Sequence, residues 1–222
     1  MELDLRIKMN DHLYLKDPFD SVLGRKIIHE GLLLINQIGF EAFTFKKLAK
    51  HIHTTEAGIY RYFENKHKLL LYLVNWYWSY TEYQIDIKLD TSKHPRTQLK
   101  QIIELLVVAP QSHASAVIPA HEAYTLVLWE ASKSYLTRNV TEHNKAKIFK
   151  PYKDLSARIA AIIRKKQPRY KYPSSLASTI LEMSHAHKFF MQHLPSLTDS
   201  KKGNDKEVIA FIEDFTFKIL GN

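Results

Sequence analysis

The chain has 222 residues, 45% of them hydrophobic and 25% charged, so it holds enough apolar material for a folded core and is not a disordered chain. Its formal charge of +9 favours a polyanionic partner, and the absence of cysteine excludes disulfides, thiolate catalysis and cysteine-built zinc sites. Asp4, Asp11 and Asp17 interrupt any leader-like apolar run, and no apolar run approaches the roughly 18 residues of a membrane span, so a cytoplasmic protein without membrane partners is expected.

Residues 1–17 stand apart. Leu3, Leu5, Ile7 and Met9 alternate with polar residues, a period of two. Asn10-Asp11-His12 reads as a turn, after which Leu13 and Leu15 resume the alternation. The pattern predicts a short β-hairpin or an extended arm, ended by Asp17-Pro18. From there the helical period of 3.6 takes over and an all-α chain of about nine helices is expected.

The first helix runs over 18–38 with Leu23, Ile27, Gly31, Leu34 and Ile38 on one face, and Gly39 provides a left-handed C-cap. The second spans 44–52 and the third 55–63. The fourth starts at Lys66 after the capping residue Asn65 and continues to about Lys88. Further helices are predicted over 95–110, 118–138, 141–167, 174–194 and 204–220. Pro151 is placed to cut or kink the seventh.

Residues 44–63, TFKKLAKHIHTTEAGIYRYF, carry the chemistry. Thr44 can cap the second helix, and Phe45, Leu48, Ala49 and Ile52 then form one apolar stripe. His53-Thr54-Thr55 breaks the helix and Thr55 caps the next, in which Ile59 and Phe63 face inward. Two short helices joined by a tight turn form a helix-turn-helix, whose second helix enters a major groove. Glu56, Ala57, Gly58, Arg61 and Tyr62 are then available to base edges, the small residues permitting close approach and Arg61 reading a guanine or clamping a phosphate. Thr44, Lys46, Thr54, Thr55, Tyr60 and Lys66 are candidate phosphate contacts, which position the protein without reading sequence. Residues 21–68 hold 8 Lys or Arg against 4 Asp or Glu.

Gly24 to Leu69 resembles the DNA-binding domain of the TetR/AcrR regulators. The shared features are Gly39-Phe40 at the end of the first helix, Thr44 with Leu48-Ala49, the cap Thr55, Ile59-Tyr60-Arg61-Tyr62-Phe63, and Lys66 with a downstream Leu69. Three positions depart from the pattern. His53 stands where the turn usually has Gly and must adopt or avoid a left-handed backbone, His67 replaces a common Glu, and Glu56 puts an acid at the groove. The resemblance implies an arm or hairpin over 1–17, a helix-turn-helix domain over 18–68, and a helical ligand-binding and dimerisation domain over 69–222.

It also implies a homodimeric repressor that binds double-stranded DNA and is released by a small-molecule effector. The alternative is a constitutive DNA-binding protein without an effector pocket. Trp76, Tyr80 and Tyr83 on the fourth helix, with Tyr124 and Trp129 on the sixth, are candidates for an apolar, aromatic effector pocket. Ile180, Met183, His187 and Phe190, with Val208, Phe211, Ile212 and Phe215, are candidates for the dimer interface.

Other sequence features carry less. His113, His121, His185, His187 and His193 lack the three- or four-residue spacing of metal ligands, so no metal or cofactor is expected. Residues 145–171 hold ten Lys or Arg and one acid, Asp154, and read as a solvated helix face, with an anionic ligand or an auxiliary DNA contact as the other readings. There is no phosphate loop, metal motif or nucleophile elbow, so an enzyme is not expected.

Overall fold

A computed structural model of the chain describes residues 6–112 and 116–221. Leu3 and Leu5 of the predicted hairpin, and His113, lie outside these residues. The helices are α1 (Val22–Ile38), α2 (Phe45–His51), α3 (Glu56–Tyr60), α4 (Lys66–Lys88), α5 (Pro95–Val107), α6 (Ala120–Glu130), α7 (Ser132–Tyr135), α8 (Val140–Lys145), α9 (Lys150–Lys166), α10 (Pro173–His193) and α11 (Asp205–Leu220). No strand occurs among the described residues. The predicted all-α class holds.

The hairpin expectation does not. Residues 6–20 pass through two short 3-10 turns, Asp11–Leu13 and Pro18–Asp20. Asn10 caps the first, Asp17 the second, and Arg6 bridges Asp17 and Asp20 at 2.8 and 2.7 Å. Met9, Leu13 and Phe19 are buried, and Leu15 N–H donates to Tyr62 C=O at 2.8 Å. Within residues 6–20, Met9 and Leu13 are thus buried without a strand partner while Leu15 stays exposed, and local Asn and Asp caps outcompete the extended backbone.

Two helices predicted as single pieces are divided. The run 118–138 becomes α6 and α7, ending at Tyr135. The run 141–167 breaks four residues before Pro151, not at it. A proline ring clashes with the carbonyl four residues earlier, here that of Lys147. Lys147 accordingly leaves the helix at φ 58, while Ile148 N–H reaches back to His143 C=O (3.0 Å) and Lys147 N–H to Asn144 C=O (3.0 Å). These two bonds form a Schellman end with the buried Ile148 as its apolar contact. Pro151 then sits in the first turn of α9, where a missing N–H costs nothing.

The chain packs as two compact units. The first comprises residues 1–80 and 110–150. Its core is Ile27, Ile28, Leu32 and Ile35 of α1, Leu48 of α2, Ile59 of α3 and the buried run Leu69–Trp78 of α4, joined by Ala123, Leu126 and Val127 of α6. Polar side chains fasten α6 and α7 here. Asn36 Nδ2 donates to Glu122 (2.9 Å to both C=O and Oε2), and the buried Glu130 carboxylate accepts from Phe40 N–H at 3.0 Å while pairing with Lys133 at 2.7 Å. Packing therefore divides the chain elsewhere than at residue 68.

The second unit comprises residues 81–109 and 151–222. Here α5, α10 and α11 pack around Leu99, Ile102, Ile103, Leu106, Ile180, Leu181, Val208 and Ile212, and α9 adds Leu155, Ile159 and Ile163. Ion pairs brace it, among them Arg158 with Asp86, Lys100 with Glu213 and the buried Lys188 with Asp205. Of the basic stretch, Lys150, Lys153, Arg164, Lys165, Arg169 and Lys171 are exposed.

The tightest approach in the first unit is at Gly24, where an added Cβ would lie 2.2 Å from Pro18 O and 2.6 Å from Pro18 Cα. Both neighbours are backbone, so relief requires the 18–20 turn to move. Gly24→Ala is expected to destabilise the protein by about 2–3 kcal/mol, measured by denaturant unfolding. A loss well under 1 kcal/mol would show that this turn shifts freely.

Candidate nucleic-acid interface

Helices α2 and α3 form the predicted helix-turn-helix. Thr44 Oγ1 accepts from Lys47 N–H at 3.2 Å and Thr55 Oγ1 from Gly58 N–H at 3.1 Å, so both caps act as their spacing predicts. Between them the chain turns through Ile52-His53-Thr54. His53 adopts φ 57, the left-handed conformation that glycine usually supplies. It is held there by the end of α2. Thr54 N–H reaches Ala49 C=O at 2.9 Å and His53 N–H reaches Lys50 C=O at 3.4 Å, a Schellman arrangement.

The inner face of the motif is dry. Phe45, Leu48, Ala49, Ile52, Ile59 and Phe63 are buried. The outer face of α3 presents Glu56, Ala57 and Tyr60, with Arg61 at the C-cap, all exposed. Tyr60 packs its ring edge-on against Phe45 at 5.1 Å while remaining 47% exposed. Gly58 is half-buried, and its neighbours explain its size: a Cβ would meet Thr54 Oγ1 at 3.1 Å and Thr55 Oγ1 at 3.4 Å. The glycine makes room for the capping threonines. Lys46 and Thr44 are exposed and Thr54 is half-buried beside the turn.

Two expected contacts are engaged elsewhere. Helix α3 ends at Tyr60, so Tyr62 leaves the helical register and turns inward. It is buried, and its hydroxyl shares a 2.7 Å hydrogen bond with Ser21, the cap of α1. Tyr62 therefore holds α3 to the start of α1 instead of facing a groove. The ammonium of Lys66 donates to three carbonyls, Phe40 (2.9 Å), Glu41 (3.2 Å) and Phe43 (3.1 Å), and lies over the Phe40 ring at 4.6 Å. Its three hydrogens are spent on the loop between α1 and α2. Conversely, Lys50 is exposed one turn beyond Lys46. The Lys46-Lys47-x-x-Lys50 spacing carries this signal.

The remaining candidates divide by burial. In the first unit Trp76 and Tyr124 are buried, and Trp76 stacks on Tyr80 at 5.2 Å with its Nε1 buried and unpartnered. Trp129 is half exposed, and Tyr83, in the second unit, is exposed; neither faces a closed space. Also in the second unit, Ile180, Val208 and Ile212 are fully buried within the chain and are not free to meet a partner. Met183, His187, Phe190 and Phe215 are only partly covered, and Phe211 is 42% exposed. His187 and Phe211 pack with ring centroids 4.6 Å apart, and burial holds the His187 imidazole below its ordinary pKa. His185 spends its Nδ1 on Leu181 C=O at 3.0 Å. Among the described residues no group of three potential metal ligands converges, and no helix is long and apolar enough to cross a membrane.

Residues 27–73 match the family described as bacterial regulatory proteins, tetR family. No curated protein sequence matches the chain. Among solved structures, a tetR-family regulatory protein from Rhodococcus RHA1 superposes with a TM-score of 0.65 at 13% identity, over 90% of this chain and 98% of that one. AibR, solved with isovaleryl coenzyme A and operator DNA, gives 0.62 at 17% identity, over 86% and 97%. The ketosteroid regulator KstR2 of Mycobacterium tuberculosis gives 0.50 at 13%, over 90% and 95%.

The left-handed His53 costs about 1 kcal/mol relative to glycine. His53→Gly is expected to raise stability by roughly that amount and Tm by about 2–4 °C in thermal unfolding. A lower Tm would mean that the imidazole makes a stabilising contact outweighing the backbone strain.

Proposed function

We infer that this chain, whose residues 27–73 match the tetR family of bacterial regulatory proteins, is a sequence-specific transcriptional regulator that represses from a near-palindromic operator and is released by a small molecule. The observation that carries the DNA reading is the exposed face of α3. It holds Glu56 and the small Ala57 at its start and an arginine at its end, and it is set on a capped, dry helix pair. Lys46, Lys50 and Thr44 on the solvent side of α2 add phosphate contacts, each contributing about −0.9 to the log–log salt slope. Selection of bound genomic fragments, with and without a panel of small molecules that includes an acyl-coenzyme A thioester, tests the reading. Failure to enrich any sequence would remove it.

An effector is supported by the buried Trp76, which stacks on the half-buried Tyr80 and whose indole N–H has no acceptor. A buried donor left unpaired costs about 1–3 kcal/mol, which a ligand's acceptor would recover. Dimerisation is supported by the half-covered apolar strip Met183, His187, Phe190, Phe211 and Phe215 on α10 and α11, a second copy being the partner that matches it.

Two substitutions separate these roles. Arg61→Ala is expected to change which bases are selected at one position of each half-site, losing about 1–3 kcal/mol of discrimination there. An equal fall in affinity on all sequences would reassign Arg61 to the phosphates. Phe211→Glu puts a charge on the apolar strip and is expected to yield a folded monomer by sedimentation, with operator affinity reduced at least tenfold. A stable dimer in that variant would place the interface elsewhere.

A further inference from the structure

The first unit contains a cleft of about 660 Å³ that the regulator reading does not use. It is formed by three separate stretches: His12 of the N-terminal segment, residues 64–68 at the start of α4, and residues 137–148 through α8. Its size lies in the range of small-molecule sites.

Three features give the cleft a chemical preference. First, its fixed charges are Lys66, Lys68 and Arg138 against Glu64 and Glu142. Lys66 and Lys68 turn their ammonium hydrogens onto backbone carbonyls, Lys68 onto His12 C=O at 2.7 Å, yet keep their charge at the wall. Arg138 is exposed and makes no ion pair among the described residues. Second, two of its lining residues, Thr137 and His143, each carry a buried polar atom without a hydrogen-bond partner, Oγ1 and Nδ1, which a side-chain rotation would have to bring to the cleft. Third, the His143 ring stacks on His67 at 5.7 Å and 22°, giving a flat wall beside Ala146 and Ile148. His67 itself is fixed, its Nε2 lying 3.1 Å from Lys133 C=O.

The His143 imidazole is held below its ordinary pKa, first by burial and then by Lys68 and His67, with Glu142 opposing. Lys68 thus sets a positive charge near this ring, and the lining holds an imidazole and a hydroxyl that each lack a hydrogen-bond partner. Tetrahedral oxyanions match such a set. Their oxygens accept from a guanidinium fork, a hydroxyl and an imidazole N–H together, and charge-assisted bonds of this kind are the strong ones.

We propose that this cleft binds a small phosphate-bearing molecule, with the phosphate held by Arg138, Thr137 and His143 and the organic portion lying along the His67–His143 wall. The volume far exceeds a bare phosphate, so a phosphate monoester is the better-fitting class. The bound molecule would tie together the N-terminal segment, the start of α4 and α8, and would stabilise the fold by mass action.

The test uses the full chain without DNA, with inorganic phosphate and adenosine monophosphate as probes, read by calorimetry and by Tm. Adenosine monophosphate is expected to bind saturably, at least tenfold more tightly than inorganic phosphate, and to raise Tm. Arg138→Ala and Thr137→Val should each weaken it tenfold or more. Arg138 is exposed and valine is isosteric with threonine, so both variants are expected to fold. Absence of binding, or binding unchanged in both variants, would overturn the proposal. A DNA backbone phosphate is the competing occupant. If Arg138→Ala lowers DNA affinity and flattens its salt slope while adenosine monophosphate fails to bind, the cleft is a DNA contact and the proposal falls.

Discussion

One ammonium group holds the corner on which the exposed face of α3 depends. Lys66 Nζ, at the first residue of α4, satisfies the carbonyls of Phe40, Glu41 and Phe43, which no helix provides for. On the other side of the same loop, Glu130 accepts the Phe40 N–H. The segment between α1 and α2 is therefore gripped by a cation through its C=O groups and by a carboxylate through its N–H. Both charges are drawn from outside the helix-turn-helix, so the position of α2 and α3 relative to α4 and α6 is set by directional bonds and not only by apolar packing.

The caps repeat this logic on a smaller scale. Thr44, Thr55 and Asn65 each satisfy an N–H that its helix leaves over, and Tyr62 closes the motif on Ser21. Short helices such as α2 and α3 are marginal on propensity alone, so their existence rests on these side chains and on the dry face beneath. The strained His53 survives for the same reason. The two backward hydrogen bonds of the α2 terminus and the anchored α3 leave it no relaxed alternative.

Much of this was legible in the sequence because capping and period are local. The spacing Thr44…Thr55…Asn65, the stripe Phe45-Leu48-Ala49-Ile52 and Gly39 at a left-handed C-cap with φ 77 all correspond to observed features. What escaped depended on distance along the chain or on direction. Lys66 reads as a surface lysine until the loop 40–43 is folded beneath it. Tyr62 was assigned to the groove because the helix was extended past Tyr60, where it ends. The alternation over residues 7–15 imitates a strand because burial against helices has no period of its own. On α10 and α11 one apolar stripe serves two surfaces, and nothing in the residue types separates Ile180 and Val208, inside, from Phe190 and Phe211, outside. Pro151 was recognised as a breaker, but its clash falls on the carbonyl four residues earlier, which moves the break to Lys147.

The three tryptophans occupy very different surroundings, and this gives the molecule an internal optical reporter. Trp76 and Trp78 are buried, Trp76 in a near-parallel stack on Tyr80, whereas Trp129 is half exposed to water. Emission from the two buried indoles lies to the blue of the third, and quenchers in solution reach Trp129 first. A molecule that reaches the unpaired Trp76 N–H changes the blue component alone, while loosening of α6 changes the red one. Ligand entry and local opening are therefore separable in the unlabelled protein from the shape of a single emission band.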